Sequence, residues 1–212
     1  MSRVPAQLRT SLAALVMLLG AGGGAYYVDE AATREANTNA YIQAVAADPE
    51  VSDGIRIAMV MASFYESSNR HIGVPYVDKL GKGQPLTVCN GLTGPEVVAG
   101  RTYTPADCYR LEKRRYIGYE VEAKRLLTYW DSYDPFQKAT FLDFIHNKGG
   151  GSLEFSTMRR KANAGDWVGA CRENTRWNRG TVQGVSTVLP GLQLRGDSNG
   201  EICTSWRLGV VK

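Results

Sequence analysis

Glu66, Asp78 and Thr87 are the residues whose types and spacing could do chemistry together. Cleaving a glycosidic bond takes one carboxyl group that donates a proton to the leaving oxygen. A second, ionised carboxyl steadies or deprotonates the attacking species. The two need different environments. Glu66 follows Phe64 and Tyr65, so partial desolvation is expected to raise its pKa, while Asp78, on a Gly-rich hairpin, should stay solvated and ionised. Thr87 adds a hydroxyl that could hold a water. Spacing alone is weak support, because most of the 21 acidic residues must be ordinary solvated surface charges.

The elements that must position this trio can be read from local signals. Ser52 or Asp53 caps a helix whose apolar residues Ile57, Met61 and Phe64 recur at helical spacing, which puts Glu66 at or just beyond its end. Between Gly73 and Gly94 the pattern changes to β-branched and aromatic residues broken by Gly81, Gly83 and Pro85, a small antiparallel sheet. Helices dominate thereafter. Thr104-Pro105-Ala106-Asp107 opens one running toward Tyr129, and Asp134-Pro135 opens another through Phe144 and Ile145, closed by Gly149-Gly150-Gly151. Shorter helices fit Ser156 to Asn163 and Asp166 to Trp177, and a Gly-rich stretch from Gly180 to Gly200 precedes a short terminal element. The fold class is α+β, mainly helical.

A chain of 212 residues with 43% hydrophobic composition suits one cored domain plus an extra segment. With 25 basic against 21 acidic residues, neither disorder nor a nucleic-acid-coating stripe is indicated, though a pI near 8.9 favours an anionic surface. The two His and four Cys show no CxxC or HExxH spacing, so no metal and no cofactor is expected. His71 reads as a solvent-exposed loop residue and His146 as a hydrogen-bonded structural group. The four Trp could stack on sugars, but two occur at helical spacing with apolar neighbours and read as core, and the basic run Arg159-Arg160-Lys161 reads as a solvated helix face.

The first thirty residues carry a different message. Thr10 to Val28 is nineteen residues without a charge, long enough to span a hydrocarbon core as a helix. Arg3 and Arg9 precede it and Asp29 and Glu30 follow, so the positive-inside bias places the N-terminus in the cytoplasm and the rest outside. Six strong apolar residues supply roughly 2 to 4 kcal/mol of insertion free energy, largely offset by the glycines of Gly20 to Gly24, Thr10, Ser11 and two tyrosines. Insertion is therefore marginal. An ordinary cleaved signal peptide is the alternative, and either reading exports the domain. Residues 1–28 are thus expected to be an N-terminal hydrophobic anchor helix, 29–52 a linker or short helix, and 53–212 a catalytic domain. Export permits disulfides among Cys89, Cys108, Cys171 and Cys203; three connectivities are possible, with a slight preference for near neighbours.

Several pieces occur together in order: Tyr65-Glu66, Pro75-Tyr76-Val77-Asp78, Thr87-Val88-Cys89-Asn90-Gly91-Leu92-Thr93-Gly94, and Gly100 to Thr104 with Cys108. Phe144-Ile145-His146-Asn147, Ala170-Cys171, Trp177, Leu189-Pro190-Gly191-Leu192, Arg195 and Glu201-Ile202-Cys203 follow. In these the chain resembles phage-type lysozymes of glycoside hydrolase family 24, and among them the signal-anchor-release endolysins of tailed phages. The resemblance implies a lysozyme-like fold with Glu66 as general acid, Asp78 as the carboxylate that positions the nucleophilic water, and Thr87 as a hydroxyl that holds it. It also implies inversion by direct water attack, with carboxyl groups about 6.5 to 9.5 Å apart.

There are departures. Eleven residues separate Glu66 from Asp78 and eight separate Asp78 from Thr87, longer in both arms than is usual in the family. Ser67 stands where the family has Gly, and Asn90 and Leu92 where it often has His, so a supporting ion pair is expected to be missing.

The implied activity is an endolysin, a muramidase that hydrolyses the β-1,4 bond between N-acetylmuramic acid and N-acetylglucosamine and lyses the host. Its partners would be the peptidoglycan glycan strand and the host inner membrane, with no nucleic acid, as a monomer. It would sit in the inner membrane, N-in and C-out and inactive, and reach the periplasm on release. Two other readings fit the same residues: a lytic transglycosylase using Glu66 alone, and a catalytically inactive wall-binding protein.

Overall fold

The computed structural model describes residues 2–20, 31–78, 83–182 and 184–207. Its centre is a helix buried on nearly every face, α3 (Asp53–Ser67), where Ile55, Ile57, Met59, Val60 and Met61 are all shielded from solvent. Such a helix must be surrounded. α5 (Pro135–Lys148) packs along it, α4 (Pro105–Leu126) closes another side, and α9 (Pro190–Ser205) lies across α5.

The starts of these helices follow their local chemistry. The Ser52 hydroxyl accepts from the Ile55 amide, and Thr104 with Asp107 and Asp134 with Gln137 form reciprocal capping boxes, each followed by proline in the first turn. Gly149, at φ 80°, ends α5 in a conformation that side chains resist, and α6 (Gly150–Glu154) starts at once. The short helices α7 (Thr157–Asn163) and α8 (Trp167–Arg172) carry the chain to a hairpin and then to α9. Disulfides join Cys89 to Cys108 and Cys171 to Cys203, the near-neighbour pairing.

Two antiparallel sheets accompany the helices. The first, β1 (Tyr76–Val77), β2 (Leu86–Val88) and β3 (Leu92–Thr93), is the sheet expected between Gly73 and Gly94. The second, β4 (Arg179–Val182) with β5 (Val185–Val188), occupies part of the Gly-rich stretch, to which the sequence assigns no element. Nor is the terminal element short. α9 runs sixteen residues through Gly191, Gly196 and Gly200. At least one of those glycines serves packing rather than turning, because a Cβ on Gly196 would stand 2.6 Å from the Asn174 carbonyl oxygen.

The N-terminal segment departs furthest from expectation. Residues 6–20 form α1 (Ala6–Gly20), fifteen residues long, and Val4, Leu8, Leu12 and Leu15 are buried in the same core as α3. Among the described residues no helix is long and apolar enough to cross a membrane. Only the first part of the expected anchor is seen, as a helix docked on the domain, and residues 21–30, which include most of the Gly/Ala run, lie outside the described residues. The cause is a one-sided apolar stripe at i, i+4, i+8 and i+11 that matches the surface of α3.

The segment read as linker or short helix is α2 (Ala31–Ala47), seventeen residues that contribute Tyr41, Ile42 and Val45 to the core. Polar contacts fix α1 in place. Gln7 donates to the carbonyl of Ser68 (3.4 Å), and Asn69 donates to the Ser11 hydroxyl (2.9 Å), both acceptor and donor lying just past the end of α3. Truncating Leu12 to Ala is expected to cost about 2 to 5 kcal/mol in denaturant unfolding of the detergent-free protein, as for any buried leucine. An unchanged unfolding midpoint would contradict this docking.

Candidate active site

Glu66 occupies the last turn of α3, two residues before the left-handed Ser68 that caps the helix. Its side chain keeps 30% of its exposure, enough to meet a ligand, and Oε1 is held from two directions. Arg195 Nη1 of α9 donates to it at 2.6 Å, and His146 Nε2 of α5 stands 3.5 Å away. Gly91, in the turn between β2 and β3, lies against the same carboxyl, so that a Cβ there would be 3.6 Å from Oε2.

The sheet supplies the other two candidates. Tyr76 pairs with Thr87 and Val77 with Leu86, and the Asp78 amide donates to Pro85 O at 3.0 Å, which extends the ladder by one pair. Side chains alternate along a strand, so Tyr76, Asp78, Thr87 and its partner Thr93 share one face. The opposite face carries Val88 and Leu92, which are buried in a small core with Tyr103 and the Cys89–Cys108 bridge. Asp78 is partly exposed; Thr87 is buried, and its hydroxyl donates to Pro85 O at 3.2 Å while its lone pairs stay available to accept. One residue senses both acids. The Tyr76 phenol is pushed up first by burial, then by the negative charges of Asp78 and Glu66.

The charge state of Glu66 is opposite to the one expected from its apolar neighbours in sequence. Burial does push its pKa up, but the hydrogen bond from His146 and the charge of Arg195 outweigh that and lower it to about 2. Ligand-free Glu66 is ionised. The correction has a structural cause: its partners come from α5 and α9, remote in sequence.

Arg195 is the residue that sequence reasoning did not single out. Buried at 7% exposure, it also clasps Asp143 with both Nε (2.9 Å) and Nη2 (2.7 Å). Burial acts against its charge, yet Asp143 and then Glu66 over-compensate and raise its pKa. Asn199 donates to Asp143 at 2.6 Å, Tyr65 donates to Asn199 at 2.9 Å, and the Arg195 guanidinium lies over the Tyr65 ring at 4.9 Å. Asn147 completes the set when its amide oxygen faces the guanidinium, accepting from Nε and Nη1 at 3.1 and 3.0 Å. The only signal in the sequence was Tyr65-Glu66, Asn147 and Arg195 recurring among the family-like pieces.

His146 is thus more than structural, since it faces Glu66 and stacks on Tyr116 with ring centroids 5.5 Å apart. His71, by contrast, bonds the Tyr103 carbonyl at 2.8 Å and serves the loop. The supporting pair thought missing is replaced. Glu66 has Arg195, Asn90 accepts from the Ser67 hydroxyl at 3.0 Å, and Leu92 fills the small core. Among the described residues no cluster of acidic, His or Cys side chains could hold a metal ion.

A depressed carboxyl pKa has a consequence for stability. The folded value of about 2 lies below the ordinary 4.5, so the stabilisation from Glu66 is fully present above pH 4.5 and is lost as the pH falls toward 2. The thermal midpoint of the native protein should therefore drop more steeply over that window than that of Glu66→Gln. Parallel curves for the two would contradict the ion pair.

Comparison with known proteins bears on the family and the fold. The family model described as phage lysozyme matches residues 72–198, more than half of the chain. The chain belongs to the phage lysozyme family. The matched span contains Asp78, Thr87, Asp143 and Arg195 and begins six residues after Glu66. Named relatives include the SAR-endolysin of Enterobacteria phage PA-2, 33% identical over 61% of this chain and 73% of that protein. The SAR-endolysin of Bacteriophage PS119 is 36% identical over 49% of this chain and 59% of its own length.

Among solved structures, the active form of the P1 phage endolysin Lyz superposes with a TM-score of 0.64 at 18% identity. That match covers 85% of this chain and 96% of the other. An endolysin from Escherichia coli O157:H7 phage FAHEc1 gives 0.63 at 17% identity over 75% and 95%. At such identities these structures show the lysozyme-like fold alone. Family membership makes this phage lysozyme a hydrolase of the muramidase type.

Proposed function

We propose that this phage lysozyme is an endolysin that hydrolyses the β-1,4 bond between N-acetylmuramic acid and N-acetylglucosamine in peptidoglycan, with Glu66 as general acid. Asp78 positions the attacking water and Thr87 accepts a hydrogen bond from it. The observation that carries this reading is the partly exposed Glu66 carboxyl against the sheet turn, with Asp78 and Thr87 on one face of that sheet. An acid must be protonated before it can donate. Covering the exposed part of Glu66 with a sugar ring removes water from the carboxylate and favours the neutral form.

The same proposal covers the N-terminal segment. While it spans the host inner membrane, α1 cannot pack on α3, and the residues just after Glu66 lack the contacts from Gln7 and Ser11. Burying Leu8, Leu12 and Leu15 on the domain is worth roughly 5 to 9 kcal/mol, against a marginal insertion energy in the bilayer. Release to the periplasm is then downhill, and the enzyme is inactive until it happens. The names of the relatives support this order of events.

Two experiments test the reading. Mass spectrometry of peptidoglycan digested by the released chain should show products ending in reducing N-acetylmuramic acid; 1,6-anhydro ends would indicate transglycosylation, and intact glycan a binding protein. Replacing Gly22, Gly23 and Gly24 by Leu should hold the protein in the membrane fraction and delay lysis, whereas unchanged lysis timing would contradict control by release.

A further inference from the structure

Away from the Arg195 cluster, a second carboxyl is buried that the mechanism does not use. Glu112 projects from α4 at 3% exposure. Its Oε1 accepts from the Asn90 backbone amide at 3.1 Å, and Oε2 accepts from the Asn90 side-chain amide at 3.2 Å and from the Tyr41 hydroxyl of α2. Burial raises its pKa, and those three donors act in the opposite direction. Leucine would fill such a site at lower cost, since a buried ionisable group must recover its lost hydration through hydrogen bonds.

What the carboxyl holds is the active-site turn. Asn90 lies between Cys89, at φ 57°, and Gly91, at φ 77°. Gly91 faces the Glu66 carboxyl closely enough that an added Cβ would stand 3.6 Å from it, and the Asn90 side-chain oxygen accepts from Ser67, the residue after Glu66. α4 grips this turn at two places on one face, four residues apart: covalently through Cys108 and by hydrogen bonds through Glu112. The disulfide fixes Cys89 but leaves the peptide planes of Asn90 and Gly91 to be set by Glu112.

We propose that Glu112 is a positioning residue for catalysis, holding the Asn90–Gly91 turn against Glu66 so that the acid and the sheet face keep a productive separation. This rests on Glu66 being the acid. Steady-state assays of the released full chain on soluble peptidoglycan fragments test it, with kcat expressed per folded molecule. Glu112→Ala is expected to lower kcat by about tenfold to a hundredfold, the range for small misplacements of reacting groups, with KM within about twofold. Glu112→Gln, which keeps an oxygen for the Asn90 amide, should recover most of the loss. A merely structural role would lower the melting temperature and leave kcat unchanged, and that result overturns the proposal.

Should Glu112→Ala fail to fold, hydrogen exchange on the unmodified protein decides. The Asn90 amide is expected to exchange as slowly as the core of α3, and exchange at open-loop rates would overturn the assignment. Glu66→Gln serves as the control: full activity there would sink the underlying reading of the site, whereas full activity in Glu112→Ala alone sinks only this one.

Discussion

Replacing Glu66 by Gln is expected to reduce peptidoglycan hydrolysis by about a hundredfold to ten-thousandfold, the span usually lost with a general acid. The amide cannot donate the proton that the leaving oxygen requires, while its shape still fits beneath Gly91 and beside Arg195. The fold should survive, because Arg195 retains both bonds to Asp143. Turbidity loss of chloroform-treated Gram-negative cells and release of reducing ends should fall together. Activity within a factor of ten of the unmodified protein would show that Glu66 is not the acid.

The largest expected loss of stability follows from Arg195→Met. Asp143 is fully buried, and among the described residues its hydrogen-bond donors besides Arg195 reduce to the Asn199 amide. Without the guanidinium an uncompensated charge remains inside the protein, which costs about 3 to 5 kcal/mol, where a solvated pair would cost little. Glu66 loses its closest partner at the same time, so its pKa should climb from about 2 toward or past the ordinary carboxyl range, and the basic limb of the activity profile, set by deprotonation of the general acid, should move up in pH. Chemical denaturation with a loss under 1 kcal/mol, or an unmoved basic limb, would contradict the network. Arg195→Lys should restore only part of the stability, because an ammonium cannot clasp Asp143 with two parallel bonds.

Local signals made much of the scaffold legible. Ser52, Thr104 with Asp107, and Asp134 each announce a helix within four residues, and the period-two pattern with its glycines announces the first sheet. Signals that depend on distant partners were not legible. Arg195 meets Glu66 across 129 positions and Asp143 across 52, and without those contacts the apolar neighbours of Glu66 point to a raised pKa, the wrong direction.

The glycines of α9 suggest turns until Asn174 is seen to press against Gly196, and the leucines of α1 suggest lipid until α3 offers them another surface. In both cases composition was read correctly and the partner was missing. The substitutions at Asn90 and Leu92 belong to the same class: they break the family pattern locally and are answered from α4 and the small core.

The proposed mechanism requires Glu66 and Asp78 to flank one glycosidic bond with room for a water between Asp78 and the anomeric carbon. Proton NMR of the reducing ends in the first moments of digestion tests it most directly, before mutarotation mixes the anomers. Attack by that water on the β-linkage predicts newly formed α-anomer. Initial release of the β-anomer would mean a covalent or substrate-assisted path, and would contradict the arrangement proposed for these two carboxylates.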